Sequence, residues 1–91
     1  MITTSINPSA LRYLADERGE NADDFSTSMI HGYHFISTPS HGYLVLGSDD
    51  NGYSDALAIC RKSNYSYLLN TLVFLEEDCD ATEFLALGLD N

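Results

Sequence analysis

The side chains of this sequence that could do chemistry are three histidines, two cysteines and a large set of carboxylates. His31-Gly32-Tyr33-His34, with His41 close behind, supplies the residue type that binds zinc, and Cys60 or Cys79 would complete four ligands. The spacing works against that reading. Residues 33–37 read as a strand, where neighbouring side chains alternate between faces, so His31 and His34 diverge unless Gly32 bends the chain. The sequence holds neither paired CxxC motifs nor an HExxH motif. Cys79 and His41 form a conceivable nucleophile and base. Asp78 and Asp80 flank Cys79, however, and nearby carboxylates oppose thiolate formation. Cys79 at a helix start and Cys60 beside Ile59 are read as buried small hydrophobes. Asp49-Asp50-Asn51-Gly52 places oxygen donors near a turn but lacks the calcium loop that closes on a bidentate Glu. The expectation is no metal, no cofactor and no enzymatic activity, with His34 and His41 hydrogen-bonded in or beside a hairpin.

The elements that would position these groups follow from pattern and punctuation. Asn7-Pro8 suits a helix cap and first turn, and Gly19 suits the left-handed end, so residues 8–18 read as an amphipathic helix. Residues 20–24 are a polar loop or the start of a second short helix running through Phe25 to Ile30. Tyr33 to Ser37 and Tyr43 to Leu46 read as a hairpin around the turn Thr38-Pro39-Ser40-His41-Gly42. Asp49-Asp50-Asn51-Gly52 is a turn, and the segment from Ser54 favours a short helix over a strand. Asn70 marks a turn before a third strand, Thr71 to Leu75. Asp80 and Glu83 have capping-box spacing ahead of a last helix ended by Gly88. The fold class expected is α+β, a small antiparallel sheet of about three strands packed against two or three short helices on one face. At 91 residues, 44% of them hydrophobic, the chain reads as one compact acidic domain over residues 1–91.

Charge narrows the partners. Fourteen Asp or Glu stand against four Lys or Arg, a formal net charge of −10 with His neutral. That balance argues against a nucleic-acid backbone or an acidic membrane and favours a cationic partner. The acids cluster as Asp16, Glu17, Glu20, Asp23 and Asp24; as Asp49, Asp50 and Asp55; and as Glu76, Glu77, Asp78, Asp80 and Glu83. Rows of carboxylates can imitate the phosphates of a duplex strand, spaced roughly 3.4 Å apart, and so occupy a groove lined with Lys and Arg. Tyr65 and Tyr67 share a face if extended. With Tyr33 and Tyr43, also in or near the expected strands and turns, they are either core-edge packing or an aromatic patch for docking against arginine-rich surface. The N-terminus shows no basic and apolar signal pattern, and no run approaches the roughly 20 apolar residues of a membrane span. The expected location is the host cytoplasm, with both thiols reduced.

Three segments carry a resemblance: Ser37-Thr38-Pro39-Ser40-His41-Gly42-Tyr43-Leu44, Tyr65-Ser66-Tyr67 and Leu75-Glu76-Glu77-Asp78-Cys79-Asp80. There the chain resembles small acidic proteins carried by phages, plasmids and other mobile elements, over roughly residues 35–84. The stretch between Leu46 and Tyr65 departs from that pattern. The resemblance implies no catalytic role. It does imply kinship of purpose with inhibitors of host defence, of the anti-CRISPR or anti-restriction kind. The expectation is therefore a non-enzymatic inhibitor that blocks the basic DNA- or RNA-binding surface of a host defence protein such as a CRISPR effector. Its contacts would be Glu76, Glu77, Asp78, Asp80 and Glu83, helped by Asp49, Asp50 and Tyr67. The alternative is a small adaptor or regulatory interaction domain that uses its Tyr and apolar surface, with a homodimer as one form.

Overall fold

The computed structural model describes residues 6–91. Asn7 accepts a hydrogen bond from the Ser9 amide, Pro8 opens helix α1 (Pro8–Arg18), and Gly19 ends it in the left-handed region. A single tight turn over Ala22–Asp24 leads into strand β1 (Ser26–Ile30). Strands β2 (Tyr33–Ser37) and β3 (Gly42–Leu46) follow, then helix α2 (Tyr53–Lys62). Strands β4 (Tyr67–Leu69) and β5 (Leu72–Glu76) precede a wide π-type turn over Glu77–Ala81 and a short helix α3 (Thr82–Leu85). The result is a small α+β domain with a five-stranded antiparallel sheet in the order β1-β2-β3-β5-β4.

Strand alternation divides the core in two. Tyr43, Val45, Ile36 and Phe74 point to one face and pack against Ala10 and Leu14 of α1. Tyr33, Leu44, Leu46, Val73 and Leu75 point to the other and pack against Ala56 and Ile59 of α2 and Phe84 of α3. All five β3 residues are buried because helices cover both sides of it. The helices therefore lie on both faces of the sheet, not on one. Two apolar sets alternating along β3 need two partners, which a single helical layer cannot supply.

Two strands exceed the expected three. The second-helix alternative for residues 25–30 is corrected to strand β1, paired with β2 from Ser26↔Ser37 to Ile30↔Tyr33. Its Ser26-Thr27-Ser28-Met29 stretch is exposed, so no buried face wrote an alternating pattern into the sequence. Strand β4 is three residues long and turns back through Asn70, whose φ is 53°. Asp80 is not a helix cap either. The cap role falls to Glu76, whose side chain accepts the Asp78 amide at 3.0 Å, and Asp80 is buried inside the following turn. Helix α3 stops at Leu85, before Gly88. Cys60 is buried as expected, whereas Cys79 is exposed, because the wide turn carries it outward. No helix of the described residues is long and apolar enough to cross a membrane.

Candidate functional site

The three sequence segments singled out above meet at one place. The start of β3, the approach to β4 and the end of β5 border a cleft of about 300 Å³ beneath the C-terminal end of α1. Arg18, His41, Tyr43, Tyr67, Glu76 and Asp78 line it, with Tyr65 and Cys79 at its edge.

Register and the wide turn explain the assembly. In the β3–β5 ladder Tyr43 pairs with Glu76. Beyond that last pair the ladder stops: His41 precedes β3, and Asp78 lies in the wide turn after β5, its amide bonding back to Glu76 Oε1. The turn brings Asp78 back beside His41 and Glu76, while the Glu77 carboxylate lies beside Gly42. Gly42 sits between His41 and Tyr43. A Cβ there would fall 2.8 Å from the Glu77 carboxylate and closer still to the Phe35 ring, so glycine permits the close approach of these strands.

The floor of the cleft is aromatic. Tyr43 is buried, its ring 5.9 Å from that of Tyr67, which meets Tyr13 edge-on at 6.4 Å. Burial pushes the Tyr43 hydroxyl up to about 12, with Arg18 pulling in the opposite direction and Tyr67 and Glu76 adding to the rise. Its wall is acidic. The Glu76 side chain is only 9% exposed, and its Oε2 lies 3.4 Å from His41 Nδ1. His41, Glu76 and Asp78 offer ligand atoms that all lie within 4.8 Å of one another. Arg18 is the basic residue of the cleft. Its Nη2 donates to Ser40 Oγ at 3.3 Å, its Nε lies 3.6 Å from Glu20, and Ser40 in turn donates to Glu20 at 3.2 Å. Glu20 of the first acidic group is thereby brought beside the third.

Of the residues expected to contact a partner, the structure brings Glu76, Asp78 and Tyr67 together at the cleft, with Glu77 and Glu83 exposed on the adjoining turn and helix. Glu76 and Asp80 are corrected, because both are buried and neither belongs to an exposed acidic face. Asp80 accepts hydrogen bonds from the hydroxyls of Ser63 and Ser66. Asp49 and Asp50 lie beyond the other end of β3, roughly 15 Å along the strand. Asp50 is occupied there, accepting from the Gly47 amide at 2.7 Å and from Asn91 Nδ2 at 2.6 Å. Among the histidines, His31 bonds to Asp90 at 3.0 Å; it sits with Gly32 in the β1–β2 turn, both at positive φ, so the bend at Gly32 and not strand alternation sets its direction. The expected hydrogen bond of His34 is missing at Nδ1, which is buried without a partner among the described residues. His41 as a neighbour of Glu76 and Asp78 was missed. The spacing of His41 and Tyr43 across Gly42 was a partial signal, while the wide turn that carries Asp78 left none in the sequence. No protein-family model matches this chain, and no curated protein or solved structure matches it.

Proposed function

We propose that this protein is a non-enzymatic acidic binding protein that docks on the basic, nucleic-acid-binding surface of another protein and displaces its DNA or RNA. The observation that carries the reading is the gathering of third-group acids, with Glu20 of the first group, around one aromatic cleft. Glu20 reaches it through Ser40 and Arg18, and Glu76 and Asp78 form its wall, with exposed Glu77 and Glu83 alongside. Among the described residues Arg18–Glu20 is the one ion pair that does not depend on a protonated histidine, so most of this charge is left for a partner. Carboxylates next to exposed tyrosine suit arginine-rich surface, through charge-assisted hydrogen bonds and cation–π contact. A host defence protein such as a CRISPR or restriction effector is the partner class this chemistry and the mobile-element resemblance favour.

The test is displacement. A basic protein retained on the immobilised chain should lose its bound nucleic acid when free chain is added, measured by gel shift. That displacement should weaken as salt rises. Glu77→Lys with Glu83→Lys should weaken it by roughly tenfold, since both side chains are exposed. A retained protein that keeps its nucleic acid, or that ignores the charge reversals, sinks the reading.

A second reading, an adaptor or homodimer, is favoured by the outer edge of β1. Its five residues carry an unpaired backbone edge beside largely exposed side chains, a template for strand addition. A complex held that way hardly weakens in high salt, which the same experiment reads.

A further inference from the structure

We propose that His41, Glu76 and Asp78 form a binding site for one zinc-class divalent cation, open toward the cleft. Glu76 ends β5 opposite Tyr43 in the β3–β5 ladder, His41 immediately precedes β3 and Asp78 follows in the wide turn, so the fold gathers the three without an ion. Their ligand atoms lie within 4.8 Å of one another. Zinc holds imidazole nitrogen and carboxylate oxygen at about 2.1 Å, which sets neighbouring ligands of a tetrahedral site about 3.4 Å apart. His41 Nδ1 and Glu76 Oε2 are already 3.4 Å apart. That separation is long for a charge-assisted hydrogen bond, ordinarily about 2.7–2.9 Å, and suits two ligands of one ion. Asp78 is exposed, which leaves its side chain free to rotate toward the other two.

A second observation points the same way. The Glu76 side chain is more than nine-tenths buried, and only one of its oxygens is engaged by a short hydrogen bond, from the Asp78 amide at 3.0 Å. The other oxygen faces the cleft beside the imidazole. A buried carboxylate next to a second carboxylate calls for a counter-charge. Arg18 lines the same cleft but turns its guanidinium to Ser40 and Glu20. One imidazole with two carboxylates matches zinc and its neighbours in the first transition row. Calcium needs six or more oxygen ligands, which these residues do not supply. With three protein ligands the fourth position faces the cleft. There a water, or a carboxylate or imidazole from a bound partner, would complete the set.

The test uses the isolated chain, freed of metal by chelation and titrated with Zn²⁺ by calorimetry and with Co²⁺ by visible absorption. One equivalent should bind, with the ligand-field bands of a four- or five-coordinate cobalt site. His41→Gln and Asp78→Asn should each weaken binding at least tenfold. His31→Gln and Cys79→Ser should leave it unchanged, separating this site from the other polar histidine and from the exposed thiol. Circular dichroism of each variant checks the fold, and Asp78→Asn changes an exposed side chain. Lack of saturable uptake, uptake that survives both substitutions, or uptake abolished by Cys79→Ser overturns the proposal. No partner enters this experiment, and Glu77 and Glu83 are untouched. Its failure is therefore distinct from failure of the displacement test.

Discussion

Tyr43 shows how one residue ties the cleft to the core. Its ring is packed with Ile36 and Phe74 under α1, while its hydroxyl approaches Arg18 and Tyr67. Burial disfavours the phenolate and raises the group from an ordinary value near 10 to about 12 in the folded state. The sign of the consequence follows from linkage. Below pH 10 both states hold this proton, and Tyr43 adds no pH dependence to stability. Between 10 and 12 the unfolded chain has lost its proton and the folded chain has kept it, so stability falls as pH rises. The slope at its steepest is about 1.4 kcal/mol per pH unit. Urea unfolding at stepped alkaline pH should show this decline, and Tyr43→Phe should make it shallower, the remainder coming from Tyr13, Tyr33 and Cys60, which burial also raises. At this scale the sequence was readable for residue type and silent about depth. Glu76, Glu77 and Asp78 look alike as letters. The first is buried against β3 and the next two are exposed, because the strand ends and the chain swings into a wide turn.

The joint between α2, β4 and the wide turn rests on Asp80. Ser63 closes α2, with its Oγ accepting the Tyr65 amide at 2.9 Å and the Ser66 amide at 3.2 Å. Both hydroxyls donate to Asp80, and Ser66 Oγ also accepts the Glu76 amide at 3.1 Å. One carboxylate thereby ties three elements that share no backbone ladder. Hydrogen bonds to a charged acceptor contribute more than neutral ones. Asp80→Ala should cost about 2–4 kcal/mol, read as a lower urea midpoint at unchanged slope, and Asp80→Asn should recover part of it. If Asp80→Ala unfolds at the wild-type midpoint, the joint contributes nothing. Elements with local punctuation were legible in the sequence. Asn7-Pro8 and Gly19 bounded α1, and Pro39 with Gly42 marked the β2–β3 turn. Strands β1 and β4 were not, since an exposed edge and a three-residue run leave no periodic trace. Capping-box spacing at Asp80 misled because a buried hydroxyl pair competes for the same carboxylate.

For the molecule as a whole, β3 separates two poles. One holds the cleft with Glu20, Glu76, Glu77 and Asp78. The other holds Asp49, Asp50 and the residues that Asn91 binds. A single flat acidic face would need both poles together; instead the acids named here divide between one candidate docking pole and one structural pole. At the structural pole Asn91 donates from Nδ2 to the Gly32 carbonyl at 3.0 Å and to Asp50, and its Oδ1 accepts the Asn51 amide at 2.9 Å. Its own amide donates to the His31 carbonyl at 2.9 Å. Tyr33 adds a bond from its hydroxyl to the Asn51 carbonyl at 2.7 Å.

That strap has a kinetic consequence. Its bonds join residues about 40 and 60 positions apart, so each closes a long loop before it returns any energy. The hairpin β2–β3 closes over far fewer residues. Order of assembly should follow: the central strands form first, and the strap locks last, after the rate-limiting barrier. Asn91→Ala should then destabilise by about 1–2 kcal/mol while leaving the refolding rate nearly unchanged, with the whole loss appearing as faster unfolding. A chevron plot reads the two limbs separately. Placed this late, the strap acts as a latch on the native state: it sets how long the molecule stays folded and has little say in how quickly it gets there.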